Sequence, residues 1–284
     1  MFSYLDPSIK KFLVANGKLV AIDERGQRCA AEGTSTPFIS LVGPVPLPLA
    51  VGPDDSAPTT FEWYAWARHS DLRRIEDVVE EVRRNGPKHL FSLLGSHLAV
   101  NSALVLGDLS QADRPLVRVH SNCVTGDVFG SLRCDCGPQL AAALAQIAAA
   151  GAGAVVYMAG HEGRGIGLWA KAVTYLLQDA GHDTYEANEK LGLPTDSRDF
   201  GDAARLLRFL LGDKRRVRLL GNNPKKREEL EALGIEVVEQ APLVVGVNPY
   251  NTRYLNAKRV HGHLIPIASL PADDPGGKPS KTNR

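Results

Sequence analysis

Three closely spaced cysteines, Cys123, Cys134 and Cys136, are the residues of this chain whose types and spacing point most directly to chemistry. The fourth cysteine, Cys29, lies far away in the sequence, so the pattern is not the even framework of a secreted disulfide-bonded domain. Three thiolates can bind zinc and leave the fourth coordination position open for water, as in a catalytic site. A structural zinc site completed by Cys29 or His120 is equally compatible with this spacing.

A glycine-rich segment, GHEGRGIGL at 160–168, lies between a predicted strand and a predicted helix. Its glycines permit close approach of the backbone to a ligand, and Arg164 offers a forked donor for phosphate. The glycine spacing matches neither the dinucleotide-binding fingerprint nor a Walker loop. On its own the segment is equally typical of an ordinary turn before a helix.

The helix that follows has a polar face with Lys171, Tyr175 and Gln178. These residues are spaced at i, i+4 and i+7. The opposite face carries an apolar stripe formed by Trp169, Val173, Leu176 and Leu177. From spacing alone, the polar face is interpreted as solvent-exposed and the stripe as buried.

Two further segments contain groups suited to phosphate chemistry. PTDSRDF at 194–200 places Asp196 close to Arg198 before a helix, so a carboxylate can act as a base and an arginine as a phosphate clamp. GNNPKK at 221–226 enters a helix whose N-terminal amides, together with Lys225 and Lys226, can bind an anion. Each segment alone also fits helix capping and surface ion pairing.

The pattern of elements predicts a layered α/β core with a mixed sheet flanked by helices over residues 98–265. In this range strands alternate with amphipathic helices. The predicted helices cover about 140–148, 167–178, 200–211 and 224–233. The predicted strands are AVNSALVLGDL, PLVRVHSN, AVVYMAG, VRLLG, IEVVEQ and PLVVGV.

Residues 1–97 are predicted to form an atypical, irregular N-terminal extension with short strands and one helix. KLVAID and PFISLVG are strand-like, whereas PVPLPLAVGPDDSAPTT is proline-rich and turn-prone. The helix is expected to begin at Thr59 or Thr60 and to end near Asn85, with Trp63 and Trp66 on a core or interface face. The tail at 266–284 is predicted to be disordered.

Charge and hydropathy exclude several classes of function. The 284 residues include 33 Lys and Arg against 32 Asp and Glu, a balance without general attraction to nucleic acid or an anionic membrane. No apolar run approaches the roughly 18 residues of a transmembrane helix, and the N-terminus lacks the features of a signal peptide. We therefore predict a cytoplasmic protein that binds neither nucleic acid nor membrane.

Six motifs, in order, resemble those of GTP cyclohydrolase II. They are RVHSNCVTGDVFGSLRCDCGPQL, HEGRGIGL, LQDAGHDTYEANEKLG, TDSRDF, NNPKK and PLVVGVNPYNTRYLNAKRVHGHL, and they run through about residues 112–264. The resemblance implies an enzyme that opens the imidazole ring of GTP and releases formate and pyrophosphate, giving the diaminopyrimidine that begins riboflavin synthesis. It also implies zinc, Mg²⁺ with the triphosphate, and a homodimer.

The same resemblance implies roles for individual residues. The three clustered cysteines would hold zinc with an open position. Asp196 would be the proton acceptor, Tyr175 would act in completing formyl release, and Arg198 would act at the α-phosphate as a clamp, because a guanidinium stays protonated. The residues that would contact GTP are Arg118, Val119, His120, Ser121, Asn122, Gln139, Glu162, Gly163, Arg164, Thr184, Gly221 and Lys226.

Three departures from the family pattern keep alternatives open. Asn122 stands where the family typically has glutamate, Gly221 stands where threonine is common, and the link through Gly160 and His161 is one residue longer. A diverged paralogue that stops at the formamide or uses another purine nucleotide in specialised metabolism is the second hypothesis. A non-catalytic, zinc-stabilised nucleotide-binding protein is the third.

Overall fold

The computed structural model describes residues 7–30, 36–52, 57–72 and 99–271. Nine strands lie in these ranges: β1 (Leu19–Ile22), β2 (Arg28–Cys29), β3 (Ile39–Leu49), β4 (Thr59–Arg68), β5 (Asn101–Leu106), β6 (Leu116–Ser121), β7 (Gly153–Met158), β8 (Arg216–Leu220) and β9 (Glu236–Ala241). They form one sheet in the order β2-β1-β3-β4-β5-β7-β6-β8-β9. Pairing is antiparallel from β2 to β7 and parallel from β7 through β6 and β8 to β9.

Residues 69–72 are helical, and seven further α-helices lie entirely within the same ranges. They are α1 (Pro7–Ala15), α2 (Cys136–Ala150), α3 (Gly167–Asp179), α4 (Glu186–Lys190), α5 (Gly201–Leu211), α6 (Pro224–Ala232) and α7 (Thr252–Val260). Three shorter segments complete the elements: a π-helical turn at Val124–Val128 and 3₁₀ segments at Ala159–Gly165 and Ile267–Ser269.

Helices cover both faces of the sheet, and strand β7 shows how. Ala154 and Val156 of β7 belong to the apolar cluster that contains Leu207 of α5. The residue between them, Val155, belongs to a second cluster, with Ile147 of α2. Successive side chains of a strand point to opposite faces, so the two clusters are the two layers of a helix–sheet–helix core. The predicted fold class is confirmed.

Local sequence explains where the helices of the site begin and end. The side chain of Asn223 accepts a hydrogen bond from the backbone N–H of Lys225, and Pro224 occupies the first turn of α6, which satisfies one exposed donor of that helix. Gly151 ends α2 with a φ of 73°, a conformation that glycine adopts without strain. The strands and helices predicted for 98–241 are present.

The helix predicted from Thr59 is wrong for its first ten residues, which form strand β4. Trp63 pairs with Leu104 of β5, and Trp66, which is only 1% exposed, pairs with Asn101. The segment TTFEWYAWAR is rich in aromatic and β-branched residues, and β-propensity on a half-buried sheet outweighs the weak helical spacing. Residues 69–72 are helical as predicted, and the rest of the predicted helix, from 73 to about 85, lies outside the described residues.

Strand β3 runs through the segment predicted to be turn-prone. Pro44, Pro46 and Pro48 all lie within it, and the part from Val45 to Leu49 pairs with β4. Strand β1 pairs only with Ile39–Val42, so the proline-containing part has no strand on its other side among the described residues. Prolines at alternate positions remove N–H groups on one side of a strand, and here that side is the open one.

PLVVGV, predicted as a strand, is irregular. Side-chain amides replace a strand partner there, because the Leu243 carbonyl accepts hydrogen bonds from Gln139 and Asn222, and the Leu243 N–H donates to Asn222. Residues 272–284 of the predicted tail lie outside the described residues. Within the described parts of the chain, no helix has the length and hydropathy needed to cross a bilayer.

Candidate active site

A polar pocket lies where the parallel strands β6, β7 and β8 end. Such carboxyl ends are the usual place for ligands in α/β sheets. Ser121 is the last residue of β6, and the segment after β7 brings His161 and Arg164 to the same pocket. Strand β8 is followed by Asn222 and Asn223, which line the opposite side.

The three cysteines meet at one wall of this pocket. The Sγ atoms of Cys123 and Cys134 are 3.6 Å apart, and the sulfurs of all three residues lie within 4.8 Å of one another. Tetrahedral zinc with Zn–S bonds of about 2.3 Å requires sulfur separations of about 3.8 Å. The donor set and its spacing therefore fit zinc.

Glycines at two positions allow the cysteine-bearing segments to approach. A Cβ added at Gly126 would lie 2.8 Å from the sulfur of Cys134, and one added at Gly137 would lie 2.4 Å from the carbonyl oxygen of Gly126. Such distances are shorter than any tolerable contact, so packing favours glycine at both positions. Close packing thus explains why glycine occupies these two positions of the cysteine motif.

The two other candidate ligands do not belong to the cluster. Cys29 lies in β2, at the edge of the sheet remote from β6. The Nε2 atom of His120 is 3.1 Å from a carboxylate oxygen of Asp127, and that carboxylate also accepts from the Tyr157 hydroxyl and the Cys123 N–H. Among the described residues the metal-type cluster thus contains only three ligands.

Lys171 lies against this cluster, although its helix face was predicted to be exposed. It is 7% exposed, and its ammonium group donates to Glu162 at 2.6 Å and to the sulfur of Cys123 at 3.1 Å. Burial lowers the pKa of Lys171, but the hydrogen bond to Glu162 and the charge of Cys123 outweigh burial and raise it. The pKa of the Cys123 thiol is lowered by hydrogen bonds from the other two cysteines and by the charge of Lys171.

The predicted faces of α3 are therefore wrong for Lys171 and for two residues of the stripe, while Val173 and Leu177 are half-buried. Trp169 and Leu176 of the predicted buried stripe are 89% and 70% exposed. Periodicity identified two faces, but it could not determine which one meets the protein, because a buried ion pair compensates for the polar groups on the inner face.

Tyr175 extends from the same helix into the pocket. Its hydroxyl is 3.0 Å from Oγ1 of Thr125, and the guanidinium of Arg133 lies 4.4 Å from its ring centroid. Arg133 is itself fixed by two hydrogen bonds to Asp179. Burial raises the pKa of the Tyr175 hydroxyl, so this group remains a proton donor at neutral pH.

Asp196 and Arg198 form a two-pronged ion pair, in which Arg198 lines the pocket and Asp196 lies behind it, outside the lining. Arg198 donates to the carboxylate through Nε at 2.9 Å and Nη2 at 2.6 Å, and through Nη1 to the Ser121 hydroxyl. Burial raises the pKa of Asp196, but hydrogen bonds and charge from Arg198 lower it to about 2. The carboxylate is therefore ionised and a weak base while this pair is intact.

Arg118 and Lys226 add positive charge at the inner end of the pocket. Arg118 donates to the Gln139 side chain at 2.6 Å, and Lys226 donates to the backbone carbonyl of Val119 at 2.7 Å. Burial and the neighbouring charges of Arg118 and Arg198 lower the pKa of Lys226 well below its usual value. An anionic ligand relieves this repulsion, so the arrangement favours phosphate.

Most residues predicted to contact the ligand line this pocket. Two do not present a side chain to it: the Val119 side chain is fully buried in the core, and Gly221 packs against Arg118, where a Cβ would lie 3.1 Å from Nη1. The predicted residues that line the pocket are Arg118, His120, Ser121, Asn122, Gln139, Glu162, Gly163, Arg164, Tyr175, Thr184, Arg198 and Lys226, with the three cysteines.

Sequence reasoning missed several lining residues. They are Arg133, His161, Lys171, Thr174, Gln178, Asn188, Asn222, Asn223, Tyr254, Lys258 and His263. Tyr254 and Lys258 lie four residues apart on α7 and His263 follows it, so helical spacing was the available signal. The contacts across the chain, such as Lys258 with Asp135 at 2.8 Å, are not visible in the sequence.

Comparison with known proteins shows which enzymes the chain resembles. The family model for GTP cyclohydrolase II matches residues 93–242, just over half of the chain. Proteins named riboflavin biosynthesis protein RibBA are similar over 194 residues: the one from Mycolicibacterium paratuberculosis is 50% identical, and those from Mycobacterium marinum and Mycobacterium tuberculosis are 55% identical. These alignments cover 68% of this chain and 42% of each relative. The chain thus corresponds to about two fifths of the relatives it matches.

Proposed function

The chain belongs to the GTP cyclohydrolase II family, and on this premise we propose that it opens the imidazole ring of GTP and releases formate and pyrophosphate. The observation that carries the proposal is the adjacency of two unlike sites in one pocket. A three-cysteine cluster lies on one wall, and arginine and lysine side chains line the rest. Formate and pyrophosphate release needs both sites, one for the two carbon–nitrogen bonds at the released carbon and the other for the phosphoanhydride bond.

The three cysteines would hold zinc. A zinc ion with three protein ligands and an open position activates water for attack at carbon near neutral pH. Lys171 supports this use, because its ammonium group stabilises thiolate at Cys123 while Glu162 compensates its charge. Glu162 also accepts a hydrogen bond from the Val124 backbone N–H, which fixes the segment that follows Cys123.

Arg198 and Lys226 would bind the phosphates, with Mg²⁺ carried by the triphosphate. Arg198 is held by Asp196 through an ion pair of 2.6 Å. A phosphate that recruits the guanidinium removes the counterion of Asp196, and loss of that counterion raises the basicity of the carboxylate. Asp196 would then be able to accept a proton, in the role that the family resemblance implies.

Tyr175 would act in the completion of formyl release. Its hydroxyl is on the cysteine side of the pocket, bonded to Thr125. Thr125 also accepts from Lys171 and lies 3.5 Å from the Cys123 sulfur. A protonated tyrosine in this place can donate a hydrogen bond to an oxygen on the carbon released from the ring.

We also propose a homodimer and a place in riboflavin synthesis. Four apolar side chains are exposed: Trp169 and Leu176 on α3, and Val128 and Phe129 between Cys123 and Cys134 in the sequence. Exposed apolar side chains support a self-association surface. The printed name of the RibBA relatives supports the pathway. A cytoplasmic location remains a prediction from the sequence.

A second candidate function is ring opening of a different purine nucleotide, or arrest at the formamide. Asn122 favours it, because its Oδ1 atom is buried at the pocket without a hydrogen-bond partner. Such an acceptor is expected to find a donor on the ligand, and its neutral amide differs from the carboxylate typical of the family.

Mass spectrometry of the products tests both candidates. The zinc-loaded 284-residue chain is incubated with GTP and Mg²⁺, and the nucleotide products are compared with those from ATP, ITP and XTP. The diaminopyrimidine from GTP supports the proposal, whereas accumulation of the formamide or preference for another purine supports the second candidate. Turnover of none of them, with zinc bound, would favour the non-catalytic alternative.

A further inference from the structure

Tyr185 is sandwiched between an arginine and a histidine. The guanidinium carbon of Arg164 lies 3.5 Å from the Tyr185 ring centroid. The imidazole of His261 is stacked on the same ring, with centroids 3.6 Å apart and planes 6° from parallel. Two groups cannot both occupy one face at these distances without overlapping, so they lie on opposite faces.

The backbone of Arg164 is also constrained. Its φ of 63° and ψ of 35° are in the left-handed region, which is uncommon for a non-glycine residue and costs energy. The Arg164 carbonyl accepts hydrogen bonds from the backbone N–H and hydroxyl of Ser197, both at 3.1 Å. The strained turn is therefore held by the segment that contains Asp196 and Arg198.

The guanidinium has a donor that the protein leaves unused. Its Nη1 atom donates to the Thr184 carbonyl, 3.4 Å away. Its Nη2 atom is buried and has no hydrogen-bond partner, and the residue lines the pocket. A buried arginine donor without a partner is costly, and an oxyanion in the pocket would satisfy it.

His261 has a fixed ring orientation. Its Nδ1 donates to the Ala257 carbonyl at 2.9 Å, one turn back at the end of α7. His261 lies beyond the segment 93–242 that the family model matches. The chain after that segment thus returns to the pocket and supports one of its cationic side chains.

We propose that Tyr185 and His261 are positioning residues, which hold the Arg164 guanidinium so that Nη2 binds an oxyanion of the substrate's phosphate chain. Stacking on an aromatic face orients a guanidinium without using its N–H donors. The identification of the oxyanion as phosphate rests on the proposed function. The stacking itself predicts that Tyr185 acts only through Arg164.

A double-mutant cycle, with inorganic pyrophosphate as the ligand, tests whether Tyr185 acts through Arg164. Binding of pyrophosphate with Mg²⁺ is measured by calorimetry for the zinc-loaded wild type, Arg164→Ala, Tyr185→Leu and the double variant. We expect each single variant to weaken binding, Arg164→Ala by about tenfold or more and Tyr185→Leu by about three- to tenfold. In the Arg164→Ala background, Tyr185→Leu should have no further effect.

Other variants separate positioning from a folding defect. Tyr185→Phe keeps the ring and should restore wild-type affinity. His261 is exposed, so His261→Ala should fold and should still weaken pyrophosphate binding. His182→Ala, on the same segment as Tyr185, is the control and should bind pyrophosphate as the wild type does. In turnover of GTP, Tyr185→Leu should raise KM and leave kcat within about twofold. This is the pattern expected when a variant weakens binding of the ground state and of the transition state equally.

The outcomes distinguish this inference from the proposed function. Additive effects of Arg164→Ala and Tyr185→Leu, or no pyrophosphate binding by the wild type, would overturn the inference even if formate is released from GTP. A coupled cycle with no formate from GTP would instead overturn the ring-opening proposal and leave the positioning roles supported.

Discussion

The ammonium nitrogen of Lys171 lies 3.1 Å from the sulfur of Cys123. This contact joins the protein-facing side of helix α3 to the three-cysteine cluster. The lysine remains charged because Glu162 accepts its shortest hydrogen bond, at 2.6 Å. The cluster is therefore not an isolated set of thiols but one end of a buried, charge-compensated network.

Replacement of Lys171 by methionine should weaken zinc binding about 10- to 100-fold, as expected for loss of a group that stabilises a metal ligand. Competition with a chromophoric chelator measures the affinity. The exposed Lys190→Met is the matched control and should bind zinc as the wild type does. Equal affinities of the two variants would show that the contact with Cys123 does not assist the metal.

Cys134→Ser should lose zinc and formate release, because one of three ligands is removed. Zinc is determined by atomic absorption after gel filtration, and formate is determined enzymatically. Cys29→Ser, in strand β2, should retain both. Stoichiometric zinc and formate in Cys134→Ser would disprove the assignment of the ligands.

Arg198→Ala should reduce pyrophosphate release by about 10²- to 10³-fold, since a preorganised cation at a phosphate is lost. A coupled pyrophosphatase assay follows the product. Arg227→Ala, which removes an exposed ion pair with Glu231 on α6, is the control. Release at the wild-type rate by Arg198→Ala would exclude this residue from the phosphate site.

Tyr175→Phe should accumulate a formylated product, because the hydroxyl that faces Thr125 is removed while the ring under Arg133 is retained. Liquid chromatography with mass detection separates the formamide from the deformylated product. Tyr250→Phe, whose side chain is on an exposed turn, should give the normal product. An unchanged formate yield in Tyr175→Phe would remove the residue from this role.

The ion pair of Asp196 predicts a pH-dependent contribution to stability. Its pKa falls from an ordinary 3.8 to about 2 in the folded protein, so the contribution is present above pH ~4 and is lost as pH falls through about 2. Asp196→Asn should reduce the free energy of unfolding by about 1–2 kcal/mol at pH 7. Urea unfolding at pH 7 and pH 3 measures this. A difference from wild type that grows at pH 3 would contradict the depressed pKa.

The sequence predicted the alternating half of the fold better than the antiparallel half. In β6 to β9 and in α2, α3, α5 and α6, hydrophobic runs and caps such as Asn223 agree with the tertiary structure. The first part of β3 was predicted, but its proline-containing second part was missed because proline is tolerated only on an open edge, and the sequence does not reveal which side is open. Strand β4 was missed because Trp63 and Trp66 also fit a helical face.

The residues of the site likewise include some that the sequence predicts and some that it does not. Residues in contiguous motifs, such as Cys123, Cys134 and Arg198, were predicted from type and spacing together with the family resemblance. Lys171 was interpreted as exposed because its partner Glu162 precedes its helix, and the buried pair forms only in the folded chain. His261, which stacks on Tyr185 from a distant part of the sequence, shows the same limit.

The most direct measurement is the amount of formate and pyrophosphate released per GTP consumed by the zinc-loaded 284-residue chain with Mg²⁺. We expect one equivalent of each, because the carbon–nitrogen bonds at the released carbon and the phosphoanhydride bond are all broken in the pocket that joins the cysteines to Arg198. Pyrophosphate with GMP and no formate would contradict it, since the phosphate site would then work without ring opening at the cysteine cluster.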